Sequence, residues 1–435
     1  MIFATQKTKE RRGIKMEKVR VGVLGAGRGE TMMEYCTHAD NAVLVAVCDK
    51  DAYFLERVKG HIQSEQITYY EDFEEFLKHD MDAVVLANYA NDHAAFAVRC
   101  LQAGKHVMSE VLPCETLAEA VKLAEAVEQS EQIYAYGENY CFMAAPRQMR
   151  RLYRQGVLGE FEYGEGEYIH NCESIWPEIT QGNPEHWRNN MQATFYCTHS
   201  LGPLLHITGL RPVRVTGFEL PFGPVNRRMG AKAGQAGLEL VELENGAVVK
   251  SIHGGLCKNS IWYTVYGTKG RLESAREDAE NGDVSCLYSN LDAYEGECAS
   301  RVIKSNPKDE LSEKAEAYGH SGSDFYTLWN FVEKIKGNPK AEIIDVYEAL
   351  DMGLPGILSY RSVLRGGVPV EVPDFRHPAV REYYRYDNAC TNPKKAGEQY
   401  VPSYSKGVPP IAPEVYERIA GLWREKKEKE EQEKN

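Results

Sequence analysis

No apolar run in this sequence is long enough to cross a bilayer, which excludes a helical membrane protein. No two cysteines stand in a CxxC spacing, and their number, 11, is odd. Reduced thiols in a cytoplasmic protein are therefore expected, not a disulfide framework. An excess of positive charge is also lacking: 51 Lys and Arg face 64 Asp and Glu, for a net charge of −13. Such a chain suits neither nucleic acid nor an anionic membrane surface as partner. Residues Met1 to Lys18 are polar and basic without a hydrophobic stretch, unlike a secretory leader, and Met16 offers an alternative start. His170, Cys172, Glu173, Cys197, His199 and His206 match no compact zinc spacing, so no metal is expected. What the chain does have is size, with 435 residues, 43% apolar and 26% charged. That is material for two domains and a large core.

Val19–Leu24 is a continuous apolar run, the mark of a strand buried on both faces, and it leads into Gly25-Ala26-Gly27-Arg28-Gly29. Glu30–His38 then predicts a helix and Val43–Cys48 a second strand, ended by Asp49 about 20 residues beyond Gly27. Glycines let the backbone approach a pyrophosphate, and the helix N-terminus presents free N–H groups to it. An acid at the end of the second strand accepts hydrogen bonds from a ribose. Gly25, Gly27, Arg28, Gly29 and Asp49 are thus candidate dinucleotide ligands, although Glu30 stands where the third glycine of the usual pattern would be. Asp49 repels a 2′-phosphate and so favours NAD over NADP, a preference that nearby Arg28 and Lys50 soften.

Helical patterns at Tyr53–Lys59, Asp72–Lys78, His93–Ala103 and Leu117–Gln129 alternate with apolar strands at Ala83–Ala87, His106–Ser109 and Ile133–Tyr136. This alternation predicts a parallel, doubly wound Rossmann domain over residues 19–145, preceded by an N-terminal extension, 1–18. After Tyr140 the pattern changes. A helix at Gln148–Gln155 is followed by period-two stretches at Glu162–His170, Val213–Glu219, Leu238–Glu242, Ala247–His253 and Ser260–Tyr266. They predict a second α/β domain, 146–375, with a large, mostly antiparallel open sheet and helices at Tyr326–Lys336 and Val346–Leu364. Val370–Pro373 leads out of it. Residues 376–435, rich in Tyr, Pro and charge, read as a tail wrapping the surface, its Lys-Glu run from Arg424 a solvated helix or frayed end.

The loop after Ala83–Ala87 reads Asn88-Tyr89-Ala90-Asn91-Asp92-His93, and the next strand Gly104-Lys105-His106-Val107-Met108-Ser109-Glu110. From about Val19 to Phe375 the chain resembles the glucose–fructose oxidoreductase/inositol dehydrogenase (Gfo/Idh/MocA) superfamily. Further strings are similar to its branch of NAD-dependent glycosidases, glycoside hydrolase family 109. These are Gly164-Glu165-Gly166-Glu167-Tyr168-Ile169-His170, Trp187-Arg188, Tyr196-Cys197-Thr198-His199-Ser200-Leu201-Gly202-Pro203, Gly319-His320-Ser321-Gly322-Ser323-Asp324 and Val370-Glu371-Val372-Pro373-Asp374-Phe375. Two departures stand out. Most superfamily members carry a lysine after the glutamate equivalent to Glu110, where this chain has Val111, Leu112 and Pro113. An aspartate often found four residues before the catalytic histidine is here Phe195.

The resemblance implies NAD as cofactor and adds Asn88, His93, Glu110 and Asn139 to its expected contacts. Tyr196 and His199, three apart, would share one face of a helical turn. A neutral imidazole accepts a hydroxyl proton near neutral pH, and a phenol relays it or orients a sugar; the resemblance implies the same roles. Tyr140 is a further acid–base candidate. Tyr168, His170, Trp187 and Arg188 are candidate sugar contacts, by stacking and by hydrogen bonds to a hydroxyl, carboxylate or acetamido oxygen. The competing reading is structural throughout: a satisfied histidine at a helix start and tyrosines in a core. The implied reaction removes hydride from sugar C3, which acidifies the C2 hydrogen; the C1 substituent then leaves, water adds and the hydride returns. A dehydrogenase that stops at the 3-keto glycoside and a non-enzymatic dinucleotide sensor remain alternatives. The expected partner is a small carbohydrate or glycoside, and the open sheet predicts a homo-oligomer.

Overall fold

Short apolar strands with no polar face can be buried only between two layers of helices, and the N-terminal sheet is built that way. A computed structural model of the chain describes residues 18–62, 66–276, 286–291 and 303–434; the expected N-terminal extension lies almost wholly outside them. Strands β1 (Val19–Leu24), β2 (Ala42–Cys48), β3 (Thr68–Tyr70), β4 (Ala83–Leu86), β5 (His106–Ser109) and β6 (Tyr134–Tyr136) are all parallel, in the order β3-β2-β1-β4-β5-β6. Helices α1 (Glu30–His38), α2 (Ala52–His61), α3 (Phe73–Lys78), α4 (His93–Gln102) and α5 (Leu117–Glu128) connect them. The order reverses between β1 and β4, which leaves a crevice at the carboxyl ends of those strands.

After α6 (Ala144–Arg154) the described residues form a nine-stranded sheet. It comprises β7 (Phe161–Ile169), β8 (Pro212–Glu219), β9 (Ala236–Leu243), β10 (Val248–Gly254), β11 (Ser260–Gly267), β12 (Gly270–Ser274), β13 (Leu287–Leu291), β14 (Ile303–Ser305) and β15 (Val370–Glu371). Every pairing is antiparallel except β7 with β10. Val370–Glu371, expected to lead out of the domain, instead adds an edge strand to β8. Three short helices occupy the long β7–β8 and β8–β9 connections: α7 (Trp176–Thr180), α8 (Trp187–Asn190) and, beyond α9, α10 (Pro224–Met229). Helix α9 (Thr198–Thr208) is buried at every residue from Thr198 to Ile207, and its buried polar side chains His199, Ser200 and His206 have partners on other elements. It packs on β7, flanked by α6 and by α13 (Val346–Leu364), while α12 (Ser323–Ile335) reaches across to α1; α11 (Ser312–Ala315) precedes α12.

The tail is more than a solvated end. Helices α14 (Pro378–Tyr384) and α15 (Pro393–Ala396) dock on the Rossmann domain through ion pairs such as Arg385–Glu125 at 2.7 Å and Lys395–Glu119 at 2.8 Å. Helix α16 (Pro413–Lys434) contains the expected Lys-Glu run, yet Ile419 and Trp423 just upstream are buried. Trp423 packs edge-on against Tyr53 and stacks on Phe54, both on α2, with ring centroids 5.1 and 6.1 Å away. Lys426 pairs with Glu178 on α7. Among the described residues no helix is long and apolar enough to cross a membrane. Removing the indole leaves a cavity between α2 and α16, so Trp423→Ala is expected to cost about 3–5 kcal/mol. A lowered urea midpoint at unchanged m-value checks this.

Candidate functional site

The crevice between β1 and β4 opens into a cavity of about 760 Å³ that extends to the ends of β7 and β10. Its nucleotide-facing side follows from the glycines. Gly25 has φ +99°, and a Cβ there would lie 2.4 Å from the carbonyl oxygen of Ala87. At Gly29 a Cβ would fall 2.3 Å from the Gly25 oxygen and 2.6 Å from Val23. Gly29 thus provides the close helix–strand approach usually given by the third glycine, and Glu30 is left to pair with Arg57 at 3.0 Å. The Asp49 carboxylate is fixed by the N–H groups of Ala26 (2.7 Å) and Asp51 (2.9 Å). Burial pushes its carboxyl up, against the pull of those bonds. Asn88 Oδ1 is buried on the cavity wall without a protein partner. A backbone cradle at a helix start, an acid at the end of β2 and an orphaned amide oxygen together fit a dinucleotide.

Beyond the cradle, Asp324 at the start of α12 gathers the two domains. It accepts hydrogen bonds from Arg28 (3.0 Å to each oxygen), Thr31 (3.1 Å) and Asn139 (2.9 Å), and His320 Nδ1 lies 3.0 Å away. Burial opposes its charge, but His320 and Arg28 outweigh burial and hold the carboxyl well below the usual range. Arg28 also lies 2.8 Å from Glu110. Burial disfavours the Arg28 charge as well, and Glu110 and Asp324 more than restore it. Arg28, Glu110 and Asn139 therefore converge at one place on the cavity wall.

The catalytic candidates also converge. The His199 ring centroid lies 4.3 Å from Tyr140, 4.6 Å from Tyr168 and 5.4 Å from Tyr196. Tyr168 Oη is 2.8 Å from His170 Nδ1, and Arg188 donates to Tyr196 Oη at 3.3 Å while covering the Trp187 and Tyr196 rings. All of these residues line the cavity. Tyr196 and His199 do not share a helix face, because α9 begins at Thr198; the turn leading into it brings the two rings together. Glu138, wholly buried after β6, sits 2.6 Å from His199 Nδ1. That contact leaves Nε2 as the ring nitrogen available to a ligand.

His93 calls for a correction. Expected among the cofactor ligands, it directs Nδ1 at the Leu112 carbonyl (3.0 Å) and Nε2 at the Asn88 carbonyl (3.1 Å). It therefore braces the loops after β4 and β5, since neither nitrogen is left for a nucleotide. The set considered for a metal also disperses: Glu173 pairs with Arg228, Cys197 faces the Met352 carbonyl, and His206 pairs with Glu348. Sequence reasoning overlooked Glu138, His320 and Asp324, although the last two lay inside a string that it had singled out.

A family model described as an oxidoreductase family with an NAD-binding Rossmann fold (Gfo/Idh/MocA) matches residues 19–138, and a glycosyl hydrolase 109 C-terminal domain model matches 261–381. A glycosyl hydrolase family 109 protein of Bacteroides thetaiotaomicron is 26% identical over 414 residues, covering 86% of this chain and 88% of its own. One from Solibacter usitatus is 27% identical over 398 residues, covering 82% and 88%. Among solved structures, an oxidoreductase from Agrobacterium radiobacter in complex with NAD+, L-tartaric acid and magnesium is similar at TM-score 0.65 and 15% identity, over 82% of this chain and 98% of that one. The myo-inositol 2-dehydrogenase of Lactobacillus plantarum is similar at TM-score 0.61 and 18% identity, over 82% and 99%. These last two likenesses are of fold.

Burial lowers His93 to about 4, despite its carbonyl contacts. The unfolded chain, titrating near 6.5, then binds more protons than the native one between those values, so stability falls as pH drops through that window. Melting temperature should decline from pH 6.5 to 4, and His93→Asn should flatten that slope.

Proposed function

We propose that this chain is an NAD-dependent enzyme of the Gfo/Idh/MocA type that oxidises the C3 hydroxyl of a glycoside within a redox elimination–addition cycle that hydrolyses it. The observation that carries the reading is the Glu138–His199 pair, set among Tyr140, Tyr168 and Tyr196 in the same cavity as the glycine cradle. When bound, NAD supplies the hydride acceptor of the first step and the hydride donor of the last.

The chain's own residues supply positioning and proton transfer. Glu138, 2.6 Å from Nδ1 of His199, accepts the hydrogen bond of that nitrogen, so the Nε2 lone pair takes the C3 hydroxyl proton and later gives a proton back. This assigns to an imidazole the work that a lysine after Glu110 does in most of the superfamily. Arg188, spread over two aromatic rings, offers its remaining N–H groups to a sugar oxygen, and Trp187 and Tyr168 offer apolar faces. Asp49 supports NAD over NADP by repulsion of a 2′-phosphate. Phe218 and Leu240, exposed on the outer face of the second sheet, support self-association through that face. The ten described cysteines are free thiols, in keeping with a reducing, cytoplasmic setting.

Incubation of the purified protein with p-nitrophenyl glycosides, without added nucleotide, tests the cycle. Catalytic nitrophenol release supports hydrolysis. Reduction of bound nucleotide in stoichiometric amount without release reduces the reading to a dehydrogenase. No turnover on any glycoside, even with NAD added, defeats it in favour of a sensor. His199→Ala should lower turnover by about 10²–10⁴-fold while dinucleotide affinity, followed by fluorescence titration, stays unchanged. Asp49→Ser should narrow the preference for NAD over NADP in the same titration.

A further inference from the structure

The C-terminal segment reaches the cofactor side of the molecule through one lysine. Lys395 on α15 donates to the backbone carbonyl of Asn91 and lies 2.8 Å from Glu119 Oε1, 3.0 Å from Glu115 Oε2 and 3.3 Å from Asp92 Oδ1. Among the described residues, no other Lys, Arg or His pairs with any of those three carboxylates. Glu115 and Glu119 are largely buried, with side chains 8% and 15% exposed. Burial opposes the Lys395 charge, and Glu119 and Glu115 more than restore it. Three carboxylates gathered on one ammonium repel one another once it is removed.

Two loops meet at this ammonium. Asn91 and Asp92 belong to a short helical turn, Ala90–Asp92, between β4 and α4. Glu115 and Glu119 stand at the start of α5, where the loop that leaves β5 ends. The other Glu119 oxygen accepts from the N–H groups of Glu115 (2.8 Å) and Thr116 (3.3 Å), so that carboxylate is fixed to the end of the loop. His93 joins the same two loops from inside, through the carbonyls of Leu112 and Asn88. Toward the cavity the first loop presents Asn88, Tyr89, Ala90 and Asp92, and the second Glu110 and Val111. Asn88 Oδ1 is the buried acceptor left without a protein partner. A dinucleotide lies across the point where the strand order reverses, one half on either side. With the adenosine ribose at Asp49, on the β2 side, the nicotinamide half falls to the β4–β5 side, against these two loops.

We propose that Lys395 is a positioning residue for the nicotinamide half of the cofactor: from outside the cavity it holds the loops after β4 and β5 at one spacing, and so sets where Asn88 and Glu110 stand. The proposal rests on the dinucleotide reading and not on the sugar chemistry. Lys395 does not line the cavity; it acts through the Asn91 carbonyl and the start of α5. The imidazole of His93 fixes the inner edges of the two loops and the ammonium their outer edges. Without the ammonium, repulsion among Asp92, Glu115 and Glu119 drives the outer edges apart, the loops turn about His93, and the Asn88 oxygen is displaced. The adenosine half and the phosphates are held elsewhere, by the end of β2 and the glycine cradle. The tail's other ion pair with α5, Arg385 with Glu125 at 2.7 Å, lies further along that helix, away from both loops.

The test titrates the full-length protein with NADH, followed by nicotinamide fluorescence, and with ADP, which carries the adenosine half and both phosphates, followed by calorimetry. In Lys395→Met the dissociation constant for NADH should rise by about tenfold or more, while that for ADP stays within about twofold of wild type. Lys395→Gln, which keeps an N–H donor, should raise the NADH constant by about threefold, and it carries the test if Lys395→Met does not fold. Arg385→Met cuts the tail's other attachment to α5; it should lower the melting temperature and leave the ratio of NADH to ADP affinity at its wild-type value. Wild-type NADH affinity in the folded Lys395 variant overturns the proposal. So does an equal loss for NADH and ADP, and so does a loss of NADH affinity in Arg385→Met as large as that in the Lys395 variant. A wild-type protein that binds neither ligand overturns the dinucleotide reading itself, a result distinct from the variant outcomes.

Discussion

The geometry of the cavity depends on one buried carboxylate. Asp324 belongs to the second domain, yet Arg28, Thr31 and Asn139, which donate to it, belong to the first or to its exit from the sheet. A buried charge tolerates this position only while its partners stay in place, since an uncompensated one is strongly destabilising. The start of α1, and with it the glycine cradle, is therefore tied to α12. Because Arg28 also meets Glu110, the same network sets the distance from the cradle to the wall where substrate chemistry is proposed.

An imidazole beside a buried carboxylate gives the far wall its chemical character. Glu138 comes from the exit of β6 and reaches a histidine on another element, α9. Glu138 thereby sets which nitrogen of His199 carries the proton. The loss of lysine after Glu110 is then consistent with the rest of the site. Val111 and Leu112 fill that stretch with buried apolar surface, and the imidazole proposed for proton transfer, His199, stands on the opposite domain.

What the sequence disclosed follows from the range of the interactions involved. β1, α1 and α13 were legible to within a residue because buried runs, helical spacing and glycine stops are local signals. The site strings were legible through resemblance, and the structure brings Tyr140, Tyr168, His170, Trp187, Arg188, Tyr196 and His199 to one wall. Helices α7, α8 and α10 escaped notice because each is a turn or two long, too short for periodicity to register, and several of their apolar residues face the cavity or α16 instead of a sheet. The partners of His199 and Arg28 were illegible for another reason, lying 61 and 296 positions away. Only the fold makes such pairs. His93 shows the converse, a motif residue whose nitrogens the fold turns onto backbone carbonyls.

The docking of α16 on α2 carries a consequence for biosynthesis. Tyr53 and its partner Glu430 are separated by 377 positions, and Phe54, which forms part of the nucleotide cavity, shares the indole of Trp423. A nascent chain emerging from the ribosome builds β1 through β6 long before that indole exists. Until then Phe54 lacks the aromatic face that covers it in the folded protein. Loading of the cofactor is then expected to await release of the finished polypeptide.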